Sequence, residues 1–175
     1  MTKTTLYYRV IDSPIGPLTL AGAGSTLMHL AMPGQTHVPE RWKSAGAAAF
    51  SDVADQLSAY FAGRLADFEL DLQLAGAEFQ RRVWAAVQMI PYGETRSYRE
   101  IADRLGSPAA ARAVGVAAGR NPIPIIIPCH RVVGSTGALI GYLGGIDCKR
   151  ELLALERRHD LNDSDSRLVI EAITS

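Results

Sequence analysis

Apolar and polar positions alternate along the first thirty residues, and the period then lengthens. Tyr7 to Asp12, Leu18 to Ala21 and Thr26 to Met32 each read as short strands of a meander. Pro14-Ile15-Gly16-Pro17 is a turn signal between the first two. The polar, proline-containing stretch from Pro33 to Ser44 reads as an exposed loop. From Ser51 the apolar residues Val53, Leu57, Tyr60 and Phe61 fall on one helical face. This predicts a helix to Ala62, capped by Ser51 and stopped by Gly63. Phe68 to Leu74 alternates again, as a strand or an extended linker. The boundary is expected near Ala75-Gly76, giving domains 1–75 and 76–160 and a polar, frayed tail 161–175.

The second half is predominantly helical in pattern. Phe79, Val83, Trp84, Val87 and Ile90 form one stripe, ended by Pro91-Tyr92-Gly93. Ser97 with Glu100 is a capping box, which predicts a helix from Tyr98 to Leu105 ending at Gly106. Ser107 and Pro108 then start a second helix to Gly119. Two helices across a tight glycine turn fit either a helix-turn-helix or a plain helical hairpin. The second is lined with small residues, among them Ala110, Ala111 and Gly115, and Arg112 projects from it. Asn121 to Val133 carries prolines at 122, 124 and 128 and is too apolar for the surface, so it predicts a buried, extended path. A glycine-rich loop follows around Tyr142, then a helix from Lys149 to Arg158.

Composition adds three constraints. Hydrophobic residues are 47% of the 175, enough for a core. No apolar run approaches the ~18 residues of a membrane helix, and the N-terminus lacks a signal-peptide core, so a cytoplasmic protein with no membrane partner is expected. The formal charge is zero, but it is unevenly spread. Five Lys/Arg oppose seven acids over 1–75, whereas twelve oppose eight over 76–160. The basic half is the one with the paired helices, where a phosphate backbone would bind.

The candidate chemistry lies in Pro128-Cys129-His130-Arg131-Val132. A thiol is a modest nucleophile until a base takes its proton, and a carboxylate behind an imidazole fixes the tautomer. Cys129 and His130 supply the first two groups; Glu151 and Glu156 are candidates for the third. Adjacent side chains on an extended chain diverge, so a bend is required at the cysteine. Three readings stay open on these residues: an inert buried cysteine, a hydrolytic or redox thiol, and a thiol that accepts an alkyl group. No Cys/His spacing suits zinc, so no metal is expected.

The chain resembles the O6-alkylguanine-DNA alkyltransferases of bacterial type. The resemblance rests on PCHRV, on PYGETRSY (91–98), AARAVG (110–115), Asn121-Pro122-Ile123, Tyr142 in the glycine loop, and LLALE ending at Glu156. It implies an α+β protein: an N-terminal ribonuclease-H-like α/β domain and a helical C-terminal domain with a helix-turn-helix. It implies direct-reversal DNA repair without a cofactor, in which Cys129 takes the alkyl group once from a flipped-out O6-alkylguanine and is consumed. It further implies His130 as base through a water, Glu156 as its orienting carboxylate and Asn121 as a brace. Tyr98 is implied at the 3′ phosphate, and Arg112 as the side chain entering the duplex. Ser97, Ala110, Ala111 and Gly115 are expected at the DNA, with Val132, Tyr142 and Leu143 around the base. The partner is double-stranded DNA, met in the minor groove by a monomer, with cooperative loading left open. Leu143 departs from the pattern, which often has glycine there, and is expected to narrow the pocket. Two rivals share the fold: a lesion-binding relative without transfer, which usually lacks the cysteine, and a regulator using the thiol as sensor.

Overall fold

The computed structural model describes residues 4–35 and 38–173, with side chains of the last helix described to His159. The alternating segments form strands β1 (Tyr7–Ile11), β2 (Leu18–Ala23) and β3 (Thr26–Ala31), paired antiparallel in sequence. The loop after them contains one element the pattern did not foresee. A two-residue strand β4 (Lys43–Ser44) pairs parallel with β1, so the sheet order is β3-β2-β1-β4. Such a pairing is made of backbone groups, and an exposed polar pair carries no hydrophobic alternation to betray it.

Helix α1 (Ser51–Phe61) has the predicted apolar face, with Val53, Leu57 and Tyr60 buried. Its start differs. Ser51 is the first helical residue, and Phe50 takes the cap position in a left-handed conformation without any side-chain cap bond. Phe50 is 94% buried, so burial of its ring outweighs the loss of a polar cap. The segment 68–74 is extended: the Leu27 amide and carbonyl bond to Asp71 and Gln73, which straps it to β3.

Helix α2 (Glu78–Gln88) buries Val83, Trp84 and Val87 as predicted. Strand β5 (Arg96–Ser97) leads into helix α3 (Tyr98–Arg104). The capping box is formed: the Ser97 hydroxyl accepts from the Glu100 amide, and the Glu100 carboxylate accepts from the Ser97 amide. Hydrogen bonding from Ser97, its backbone amide foremost, holds the Glu100 pKa below the usual range. Gly106 has φ +70, a left-handed turn open to glycine at little cost. Ser107 makes no side-chain cap bond, and residues Pro108–Ala110 form a 3-10 turn before helix α4 (Ala111–Ala118). The Trp84 indole donates to the Ala117 carbonyl at 2.9 Å and pins α4 to α2. Strand β6 (Val132–Val133) pairs with β5. The last helix, α5, runs from Ile146 to Ile173. Its backbone starts earlier than expected and continues through the segment expected to fray.

Candidate active site

Three prolines keep residues 121–128 out of a helix, and the chain closes a tight bend instead. The Ile127 amide donates to the Ile123 carbonyl at 3.0 Å, and Ile125, fully buried, sits at φ +75. A β-branched residue in that region is strained and persists only when its surroundings over-determine it. Asn121 is central to that over-determination. Its Oδ1 accepts from the Ile123 amide at 2.9 Å, and its Nδ2 donates to the Ile127 carbonyl at 2.8 Å and to Cys129 Sγ at 3.1 Å. One buried amide thus joins the bend to the sulfur. Replacing Asn121 by alanine strands buried backbone groups, and is expected to cost about 1–3 kcal/mol of stability, read as a lowered urea midpoint. Cys129–Arg131 then forms a 3-10 turn, which is the bend the adjacent Cys-His pair required.

His130 and Glu156 are both fully buried, and His130 Nε2 lies 2.7 Å from Glu156 Oε1. Glu151 is exposed, so of the two candidate carboxylates the fold brings only Glu156 to the imidazole. Three further partners of Glu156 escaped the sequence reading. Arg131 donates from Nε and Nη2 to the carboxylate at 2.9–3.2 Å, and the Tyr60 hydroxyl donates to Oε1 at 2.7 Å. The Gly93 amide adds a bond to Oε2 at 3.1 Å. Burial pushes the Glu156 pKa up, but the hydrogen bonds and charges of His130 and Arg131 outweigh it and hold it at about 2. A carboxylate this firmly ionised accepts the Nε2 proton of a neutral imidazole. Nδ1, buried and without a protein partner among the described residues, then carries the lone pair. Burial also lowers the His130 pKa, keeping the ring neutral and ready to accept.

Burial pushes the Cys129 thiol up to about 11, against the opposing pull of the Asn121 hydrogen bond and the Lys149 charge. The resting sulfur is therefore a thiol. Lys149 is buried and was read only as the start of a helix. Its Nζ donates to the Val132 carbonyl at 2.6 Å and the Ile140 carbonyl at 3.0 Å. No sequence signal marks a lysine this deep.

Cys129 opens onto a cavity of about 800 Å³. Of the residues expected around the base, Tyr142 and Leu143 line the cavity, and of those expected at the DNA, Tyr98, Ala111, Arg112 and Gly115 do. Arg112 is exposed, and the Tyr98 hydroxyl donates to the Ile140 carbonyl at 2.9 Å. Val132, expected around the base, and Ser97 and Ala110, expected at the DNA, do not line the cavity. Val132 is fully buried behind it, Ser97 is bonded into its cap, and Ala110 belongs to the 3-10 turn. The exposed apolar side chains of Val116 and Ile140 line it instead, though neither was singled out. Among the described residues no cluster of His, Cys, Asp or Glu could hold a metal ion.

Two family models match nearly the whole of the described chain. The 6-O-methylguanine DNA methyltransferase ribonuclease-like domain matches residues 6–74, and the DNA binding domain of the same enzyme matches 78–158. The chain belongs to the methylated-DNA–protein-cysteine methyltransferase family. The curated member from Mycobacterium bovis is 60% identical over 154 residues, 87% of this chain and 93% of its own. The member from Methanosarcina barkeri is 50% identical over 157 residues, 88% of this chain and 99% of its own. A crystal structure of Mycobacterium tuberculosis OGT in complex with DNA superposes with a TM-score of 0.84 at 59% identity, covering 87% of this chain and 94% of that one. As in the other methyltransferases, the α+β architecture is a ribonuclease-like N-terminal domain followed by a helical DNA-binding domain.

Proposed function

We propose that this protein repairs alkylated DNA by moving an alkyl group from O6 of guanine to Cys129, once per molecule. The observation that carries this is Cys129 at the wall of the cavity, with its sulfur tied to Asn121 and the buried His130–Glu156 pair beside it. His130 Nδ1 takes the thiol proton through a water, and Glu156 steadies the ring as it becomes positive. The sulfur attacks the alkyl carbon, the carbon–O6 bond breaks, and guanine leaves with the electron pair and picks up a proton. The product is a thioether, which does not hydrolyse under mild conditions, so the protein is consumed. No cofactor enters that balance.

O6 is unreachable inside a stacked duplex, so the nucleotide must be swung out, at a few kcal/mol. Helix α4 suits this task, because its small residues let it sit close in a minor groove. Arg112, exposed at the cavity rim, enters the space the base leaves. Tyr98 crowds the 3′ phosphate, and Tyr142 and Leu143 wall the base. The protein acts as a monomer. A free thiol persists in the reducing cytoplasm, where we place it; among the described residues no helix is long and apolar enough to cross a membrane.

The test is to mix the protein with a duplex containing O6-methylguanine and weigh it. One methyl gained on the peptide carrying Cys129, and no further gain with excess DNA, is expected. Unchanged mass with tight binding would point instead to a lesion-binding relative, and repeated turnover to a hydrolase. Leu143 sets a further expectation. Its side chain narrows the cavity beside Tyr142, so Leu143→Gly raises the rate of benzyl transfer relative to methyl severalfold. Equal benzyl-to-methyl ratios in wild type and variant would refute this.

A further inference from the structure

We infer that Tyr60, a residue of the ribonuclease-like domain, is a positioning residue for the transfer: its hydroxyl holds the Glu156 carboxylate that orients His130 and sets its basicity. The inference rests on the functional reading above. Tyr60 lies on α1, fully buried, 70 residues from His130 and 96 from Glu156 in the chain. Its oxygen is 2.7 Å from Glu156 Oε1 and 3.4 Å from His130 Nε2. The rings of Phe61, Phe68 and Tyr92 stand 5.4–6.0 Å from its own and fix it in place. Packing alone would be served by phenylalanine, since a buried hydroxyl costs stability unless it finds an acceptor. The acceptor it finds is the carboxylate behind the base. Burial and the Glu156 charge also keep the phenol protonated, so it acts as a donor.

The consequence is a defined sign. Donors on Oε1 spread the carboxylate charge, leaving the shared proton on His130 Nε2 and the lone pair on Nδ1. Without the Tyr60 hydroxyl the charge on Oε1 concentrates and stabilises imidazolium more strongly. The pH below which His130 is protonated, and cannot take the thiol proton, then rises. The other groups facing the ring are Glu156 and Lys149 from α5, Arg131 and Cys129 from its own turn, and Tyr142 from the glycine loop, its ring 6.3 Å away. Tyr60→Phe leaves each of these residues in place and alters the hydrogen bonding of Glu156.

Methyl transfer to Cys129 from an O6-methylguanine duplex, measured in single turnovers across pH with the full chain, tests the inference. Tyr60→Phe is expected to slow transfer roughly tenfold and to move the acid limb upward by about 0.5 pH unit. Tyr60→3-fluorotyrosine, a stronger donor of nearly the same shape, should move that limb downward. Phe68→Leu loosens the same packing without touching the hydrogen bond, and should lower the melting temperature while leaving the limb in place. An unmoved limb in Tyr60→Phe, or an equal shift in Phe68→Leu, overturns the inference. If Tyr60→Phe does not fold, the fluorotyrosine protein decides, and an unmoved limb there overturns it. A wild type that never gains mass would instead refute the functional reading itself.

Discussion

Cys129→Ser will bind lesion-containing duplex as the wild type does and will never become heavier. Serine fills nearly the same space, and the Asn121 amide that reaches Sγ at 3.1 Å can donate to a hydroxyl as well. Stability should therefore change little, and a thermal melt within a few degrees of wild type is expected. The chemistry is lost because a serine hydroxyl is far less acidic than a thiol and a poor nucleophile for an alkyl carbon. The second cysteine sharpens the prediction. Burial pushes Cys148 to about 11, as it does Cys129, so thiol acidity does not distinguish the two. The distinction is geometric: Cys129 has the Asn121 donor, the adjacent His130 and an opening onto the cavity. A mass gain on Cys148, or any gain in Cys129→Ser, would defeat the assignment.

Glu156→Leu will destabilise the protein more than loss of any other site residue. Glu156 is fully buried and meets Arg131 through three side-chain hydrogen bonds, while Arg131 is itself 4% exposed. Removing the carboxylate leaves an uncompensated buried guanidinium, at about 3–5 kcal/mol, and frees His130 from its acceptor. Urea midpoints measure the first effect. Transfer rates on the fraction still folded measure the second, with a loss of about a hundredfold expected.

The same group makes a pH prediction. A carboxyl held at about 2 in the folded chain, against 4.5 ordinarily, contributes ~3 kcal/mol above the ordinary value. That contribution is lost as pH falls from about 4.5 toward 2. His130, its pKa lowered by burial, adds to the slope earlier. The unfolded chain takes up its imidazole proton below 6.5 while the folded chain does not, so stability declines from there. Urea midpoints measured from pH 7 to pH 3 should fall throughout. Midpoints that hold constant between pH 6 and pH 4 would contradict the buried pair.

Local signals in the sequence proved dependable where the bonds themselves are local. Ser97 and Glu100 lie three residues apart, and their two reciprocal bonds follow from that spacing. The stripe on α2 and the face of α1 are buried as their periods require. Where two local preferences compete, the outcome was decided elsewhere. Phe50 displaced Ser51 from the cap because the core had room for its ring, which no spacing reveals. The Pro108–Ala110 turn likewise replaced the first turn of a helix that the Ser-Pro pair announced.

By itself the sequence determined the longer strands and helices, the resemblance to a family, and the placing of a cysteine beside a histidine, because these depend on residue type and short spacing. Tertiary structure alone decided which carboxylate serves His130, that Arg131 and Tyr60 hold it, and that Lys149 is buried. Those facts are contacts between side chains up to 96 residues apart. Such contacts are set by how α1, α5 and the Cys129 turn pack together, and packing leaves no mark on the period of the chain.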